Sequence, residues 1–452
     1  MGSQIERLAQ FVAEMGWDDI PVAVRQHARL VLLDTLGVIL AGSEQPEVQR
    51  LRQRLIGTGS SAATVFSRGW PTTDPRTAAL VNGVAGRSIE LCEGHRYVSC
   101  QGAVQVLPTV LAVGESAHST GRELLTALIL GYEVAVRIGA CVTPRAVAHQ
   151  NGQAPMLGAI AAGAKLRDLS AADISRALRI GATLALTPAY TNAVAGATVL
   201  NVAGGMSGFA GALAPELALA GFEAQENAIE EAFAQLVGDG FQPGPLLDQL
   251  GRRWEIARNY FRLRACCNPI YAALDALEEM IEELRPTADQ IERIDIATYR
   301  FASVMRNPTP KNYFAAKYSL PHAAAAVVVR GNAGYSSFTE AAVHDPIIAA
   351  LRQRVSITED PQFSALAPRL KPARVTMTLK DGRKSTRTCE SARGDFQRPY
   401  RESELRDKFR ELAGLVLSPE GVKVVETTVD QCDQWASPVE LTTQMRRYGL
   451  PA

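Results

Sequence analysis

The sequence predicts a mainly α-helical protein: one large all-helical domain into which a smaller α+β lid is inserted. Three observations predict it. Apolar residues recur at helical spacing from residue 5 to about residue 260, two-residue alternation and a hairpin signal replace that spacing after Cys267, and the helical period returns from Glu402. The boundaries expected are 1–265 for the helical domain, 266–400 for the lid and 401–452 for C-terminal helices that return to the first domain. At roughly 100–200 residues per domain, a chain of 452 residues has room for two or three such units.

Each element has its own signal. In residues 21–41 a proline suits a first helical turn, Leu30, Val31, Leu33, Leu36 and Ile39 build a broad apolar face, and Gly42 stands where a helix stops. Asp74-Pro75 opens a helix toward Ile89, another spans 107–117, and 121–141 carries Leu124, Leu125, Leu128 and Ile129 on one side. Ser170, with Asp173 three residues on, caps a helix over 174–186. Beyond Cys267, residues 271–284 read as a helix stopped by Pro286. Residues 291–300 alternate as a half-buried strand, and 313–330 form a helix ending at Gly331. Residues 374–379 and 384–388 flank Asp381-Gly382, a hairpin turn. From Glu402, Leu405, Phe409, Leu412 and Leu415 share a helical face.

Composition narrows the function. Lys plus Arg and Asp plus Glu each number 47, so no global field is available to hold nucleic acid or an anionic membrane. The longest uncharged stretch, 180–215, is broken by Gly, Pro, Asn and Thr and reads as protein interior rather than a membrane span. The first residues lack the basic start and apolar run of a secretory signal, which makes the cytoplasm the expected compartment. Seven cysteines with no Cys-x-x-Cys pair argue against a disulfide framework, a zinc ribbon or an iron–sulfur cluster. Reduced thiols and metal-free chemistry are therefore the expectation.

Six histidines limit the choice of proton carrier. His27 and His118 read as structural and His344 as exposed. Residues 90–97 place Glu90, Glu93, His95 and Arg96 in one short loop, which suits a proton-transfer pair, an anion site or a hydrogen-bonded loop; Glu90, Glu93 and His95 also allow a metal reading. His149 lies in a polar loop between core helices and is the leading acid–base candidate. Thr191, Asn192, Thr198 and Asn201, among several glycines, either line a pocket or serve close helix packing. At the domain junction Arg262 or Arg264 could grip a carboxylate or form an interdomain salt bridge, and Cys266-Cys267 would be nucleophilic only with a lowered pKa. Lys317, Tyr318 and His322 gather donors at a helix start, suited to an anion.

Taken together, Val81-Asn82-Gly83, Val106-Leu107-Pro108, Gly131-Tyr132-Glu133 with Arg137, the His149 loop, Ala220-Gly221-Phe222, Cys266-Cys267 and Asn307-Pro308 with residues 316–321 resemble the MmgE/PrpD family. That family includes 2-methylcitrate dehydratase, cis-aconitate decarboxylase and iminodisuccinate epimerase. The resemblance runs from about residue 5 to about residue 417. It implies a homodimer without metal or organic cofactor that removes a proton alpha to a carboxylate or carbonyl of a small polycarboxylic acid. Loss of water or carbon dioxide, or return of the proton, follows. By position it implies roles for Glu90, His95, His149, Arg262 and Lys317; together with the residues read above, the expected catalytic set is His149, His95, Glu90 and His322, and the expected substrate contacts are Gln101, Arg262, Arg264, Lys317 and Cys267. Departures are equally visible: Gln101-Gly102 replaces a usual His-Pro, Gln105 stands for a second histidine, Leu200 and Ala203 stand where lysine and histidine are usual, Tyr271 takes a histidine position and His322 a tyrosine position. The expected reaction is dehydration of a 2-hydroxy polycarboxylate in an altered pocket. Epimerisation of a dicarboxylate such as iminodisuccinate, or a catalytically inactive binding homologue, is the alternative.

Overall fold

The computed structural model describes residues 2–57, 61–98 and 100–451. The helical domain is built on α1 (Gly2–Glu14), α2 (Val22–Gly42), α3 (Pro75–Ser88), α4 (Gly102–Ser116), α5 (Gly121–Cys141), α6 (Ala154–Lys165), α7 (Ala171–Thr183) and α8 (Val199–Leu219). Caps set several of the ends. Asp74 accepts from the amides of Arg76 and Thr77, Thr120 and Glu123 form a reciprocal capping box, and Ser170 accepts from Asp173. Two of these helices, α5 and α8, are long and apolar enough to cross a membrane by length and composition alone. In α5, however, 89% of the apolar window is buried inside the protein, which makes it a core helix; in α8 the figure is 61%.

Helix α2 stops at Gly42, as the sequence predicts. A Cβ there would lie 1.8 Å from the Ala85 carbonyl oxygen of α3. The glycine is therefore a crossing point that lets two backbones touch.

After the junction, α9 (Tyr271–Leu284) packs on a four-stranded sheet of β1 (Ile291–Thr298), β2 (Val355–Glu359), β3 (Ala373–Leu379) and β4 (Lys384–Cys389). The order is β4-β3-β1-β2. The hairpin β3–β4 and the β1–β3 pair are antiparallel, and β1–β2 is parallel. Strand β2 has no counterpart in the sequence reading. The helix expected over 313–330 is two pieces, Tyr313–Ala316 and α10 (Leu320–Arg330), because Asn312 and Ser319 each cap a new start and Pro321 supplies a first turn.

The tail forms α11 (Glu402–Ala413), α12 (Pro419–Asp430) and α13 (Val439–Tyr448). Helix α11 lies on α2, where Phe409 covers Gly37 and the Lys408 ammonium donates to Asp34 at 2.6 Å and to the Leu91 carbonyl at 2.8 Å. One apolar core fills the helical domain together with this tail. A second fills the α+β unit and continues into the helical domain through Val38, Ala41, Ile89 and Leu91. The cavity described next lies where the two units meet.

Candidate active site

Helix α3 ends at Ser88, and Glu90 just beyond it takes φ +55°, a conformation uncommon for a side chain larger than glycine. That turn directs its carboxylate inward. Arg87 donates to Glu90 at 2.9 Å and Arg262 at 2.6 Å, while the Tyr318 hydroxyl donates at 3.1 Å. All four residues are buried. Burial alone would raise the Glu90 carboxyl, but Arg87 and Arg262 outweigh it and hold Glu90 well below the ordinary carboxylate range. Gly204 makes room for this network: a Cβ there would sit 2.3 Å from the Arg87 Cγ.

His149 reaches the same cavity from the loop before α6. The loop is pinned by the His149 amide on the Pro188 carbonyl at 2.8 Å and by Gln105, whose side-chain oxygen accepts from Gly152 N at 3.0 Å and Ser207 Oγ at 2.9 Å. Gln105 is thus a loop anchor. The Asn151 amide donates to His149 Nδ1 at 3.2 Å, so the neutral ring carries its proton on Nε2. Burial first, then the Arg87 guanidinium, pushes His149 down to about 3, and it is neutral at pH 7. Tyr190 stacks on the ring at 5.7 Å and 10°, and its buried hydroxyl has no hydrogen-bond partner among the described residues.

These groups line a cavity of about 360 Å³. The helical-domain wall carries Glu90, His95, Arg96, Gln101 and His149; Tyr260, Arg262, Cys267 and Asn268 come from the junction, and Pro368, Arg369 and Lys371 from the loop before β3. Among the described residues its lining holds four cations and one carboxylate, Glu90, which Arg262 already pairs. Arg96 pairs with Asp395 at 2.6 Å, but Arg369 and Lys371 have no acidic partner within salt-bridge distance among the described residues. The Lys371 ammonium donates to Asn268 at 3.1 Å; burial and the nearby Arg96 bring it down to about 8. A larger surface hollow of about 780 Å³ between α1 and α7 is edged by charges already paired, such as Arg179 with Glu6 and Arg176 with Asp173, and gathers no comparable chemistry.

Glu90, His95, Gln101, His149, Arg262 and Cys267 are thus brought together, and three expected site residues are not. His322 lies outside the cavity with both ring nitrogens engaged, Nε2 on the Ser337 carbonyl at 2.9 Å and Nδ1 on Arg352 at 3.3 Å. Arg264 turns away to Asp275 and Glu278, an ion-paired structural role. Lys317 is buried behind the cavity wall, donating to the carbonyls of Ile89 and Ala265, and burial lowers it to about 7. Corrections also apply within the lining. His95 Nδ1 accepts from the Tyr97 amide and Nε2 meets Glu255 at 3.2 Å, so neither nitrogen is free to move a substrate proton. Arg262 already holds Glu90 and is not free to clamp a ligand bidentately. Burial pushes Cys267 up to about 12, which leaves it a thiol rather than a nucleophile.

The metal reading fails on geometry, since Glu90 goes to the two arginines, Glu93 to Tyr132 and the Ala103 amide, and His95 to Glu255. Of the uncharged stretch only Tyr190 lines the cavity; Thr191, Asn192, Thr198 and Asn201 do not. Sequence reasoning missed Tyr190, Arg369 and Lys371. The signal available for the last two was a pair of basic residues beside Pro368 and Pro372, immediately before a strand.

Comparison with known proteins places these features in context. The MmgE/PrpD N-terminal domain matches residues 6–245, and the MmgE/PrpD C-terminal domain matches residues 265–434. The chain is similar to a cis-aconitate decarboxylase-like protein of Aspergillus oryzae, 24% identical over 97% of this chain and 96% of that one. It is similar to cis-aconitate decarboxylase of Aspergillus terreus at 23% identity, covering 94% and 92%, and to that of Homo sapiens at 26%, covering 95% and 91%. With matches to both halves of its length, the chain belongs to the MmgE/PrpD family.

Proposed function

We propose that this protein decarboxylates a small unsaturated polycarboxylate of the cis-aconitate type. It is a lyase-type enzyme of its family. The observation that carries the finer reading is the charge of the cavity: with Glu90 neutralised by Arg87 and Arg262 and Arg96 paired with Asp395, Arg369 and Lys371 remain as cations without an acidic partner among the described residues. Such a site attracts a multiply charged anion and stabilises charge that spreads onto its oxygens during reaction. Arg369 and Lys371 hold carboxylates, and the Tyr190 hydroxyl offers a further donor.

In the reaction the bond to one carboxylate breaks and leaves as carbon dioxide. The pair from that bond forms a new double bond to the neighbouring carbon, whose former π pair shifts to the far carbon, and that carbon takes a proton. The neutral ring of His149 stands with Nε2–H available to deliver it, passing through an imidazolate that the nearby Arg87 and Arg262 charges stabilise and that water reprotonates. Decarboxylation needs this donor and a cationic pocket, with no strong base at the reacting carbon. That suits a histidine whose Nδ1 is occupied and a Glu90 whose basicity is suppressed.

Elimination of water from a 2-hydroxy polycarboxylate is the second reading, and one observation favours it. Lys371, at about 8, exchanges a proton near neutral pH and could serve as the base that elimination requires. Proton NMR in deuterated water with cis-aconitate, citrate, 2-methylcitrate, malate and iminodisuccinate separates the readings. Loss of cis-aconitate with one deuterium in the product, abolished in His149→Ala, is the expected result. Consumption of 2-methylcitrate or citrate instead selects the dehydratase, and no exchange with any of them overturns both.

A further inference from the structure

A second cavity of about 310 Å³ adjoins the first and shares Tyr97, Val98, Cys100, Gln150 and Pro368 with it. Five common residues make the two spaces immediate neighbours. Their chemistry differs sharply. Where the first gathers Arg96, Arg262, Arg369 and Lys371, the second is walled by Gly139, Ala140, Val142, Ala154, Pro155 and Phe233, with no charged side chain among the described residues that line it. The Gln153 side-chain nitrogen in this wall is buried and has no hydrogen-bond partner among the described residues. Ala140 and Pro144 in its lining are exposed, so the space reaches the surface.

From this geometry we infer that the natural substrate carries an uncharged, largely apolar substituent of several carbons, which this annex receives while the carboxylates occupy the cationic cavity. The inference rests on the carboxylate reading of the main cavity. A tricarboxylate the size of cis-aconitate has no group to place in an apolar space, and leaving such a space filled with water forgoes affinity. Each methylene buried there improves binding about fourfold. The free Gln153 amide supplies one donor for an oxygen on or near the substituent.

The test compares succinate with 2-hexylsuccinate by isothermal titration calorimetry, using the full chain, and uses two variants that fill the annex, Ala140→Phe and Ala154→Leu. The wild type should bind the hexyl compound at least tenfold more tightly. Both variants should erase that preference while binding succinate within about twofold of wild type. Equal affinities in the wild type, or a preference that survives both fillings, would overturn the inference. The two proposals fail separately. If cis-aconitate is consumed but the alkyl chain makes no difference, the annex falls and the lyase stands. If nothing is turned over yet the hexyl preference appears and is erased by filling, the reaction falls and the annex stands.

Discussion

The two walls of the main cavity use the same kinds of residue in opposite ways. Around Glu90 of the helical domain, Arg87 and the junction's Arg262 hold the carboxylate at 2.9 and 2.6 Å, Tyr318 donates to it from the α+β unit at 3.1 Å, and His95 is held between Tyr97 and Glu255. On the lid side Arg369 and Lys371 have only neutral partners or none among the described residues. The difference teaches which charges are structural. A buried ion is stable where its partners are already present, and it then orients neighbours rather than binding a ligand. A cation left without an acid at a cavity wall is the one that gains from an arriving carboxylate. The clustered charges of residues 90–97, so conspicuous in sequence, belong mostly to the first kind.

That contrast can be broken in several places. The largest effect is expected at His149: His149→Ala should lower kcat by about two to four orders of magnitude with little change in unfolding temperature, since it removes a proton donor and no ion pair. Steady-state rates with thermal melts check both halves, and an unchanged kcat would remove His149 from the mechanism. Next comes Glu90→Ala, which leaves Arg87 and Arg262 buried without their carboxylate and should destabilise the fold by about 3–5 kcal/mol in urea titrations. A loss below about 1 kcal/mol would show that the network on this wall is not the locked one described.

On the opposite wall, Lys371→Met should raise KM about 10–100-fold, the range of one charge-assisted hydrogen bond, while unfolding temperature stays nearly constant. A fall in stability without a change in KM would place Lys371 among the structural charges. The same residue sets a pH dependence. Its folded-state pKa is lowered from 10.5 to about 8, so the cation is present below pH 8 and is lost above it. Accordingly kcat/KM should be level below about pH 8 and drop tenfold per unit above, and Lys371→Met should flatten that limb. The smallest effect is expected at His322. Because both its nitrogens serve Ser337 and Arg352, His322→Gln should change kcat less than about threefold while costing about 1 kcal/mol of stability.

Much of the fold was legible along the chain because the determinants are local. Asp74-Pro75, Thr120 with Glu123 and Ser170 mark helix starts by their own side chains, and Asp381-Gly382 specifies its hairpin by turn chemistry. Strand β2 was not legible, since its parallel partner β1 lies more than 50 residues earlier and no turn signal joins them. Gly42 was legible as a helix end but not as a crossing point, which depends on Ala85 in a helix distant along the chain.

For the site, sequence by itself determined the inventory: few histidines, a dense acidic and basic loop, a polar loop holding His149, and a junction rich in arginine. Only the tertiary structure decided what each member does. His322, Lys317 and Arg264 differ from His149 and Lys371 not in residue type but in which neighbours fill their hydrogen-bonding positions, and those neighbours come from distant parts of the chain, as with Arg352 on His322 and Asp275 on Arg264. Burial decided the rest. The same imidazole or ammonium is a structural donor when its partners are supplied by the fold, and it is free for chemistry where one of them is left to a ligand.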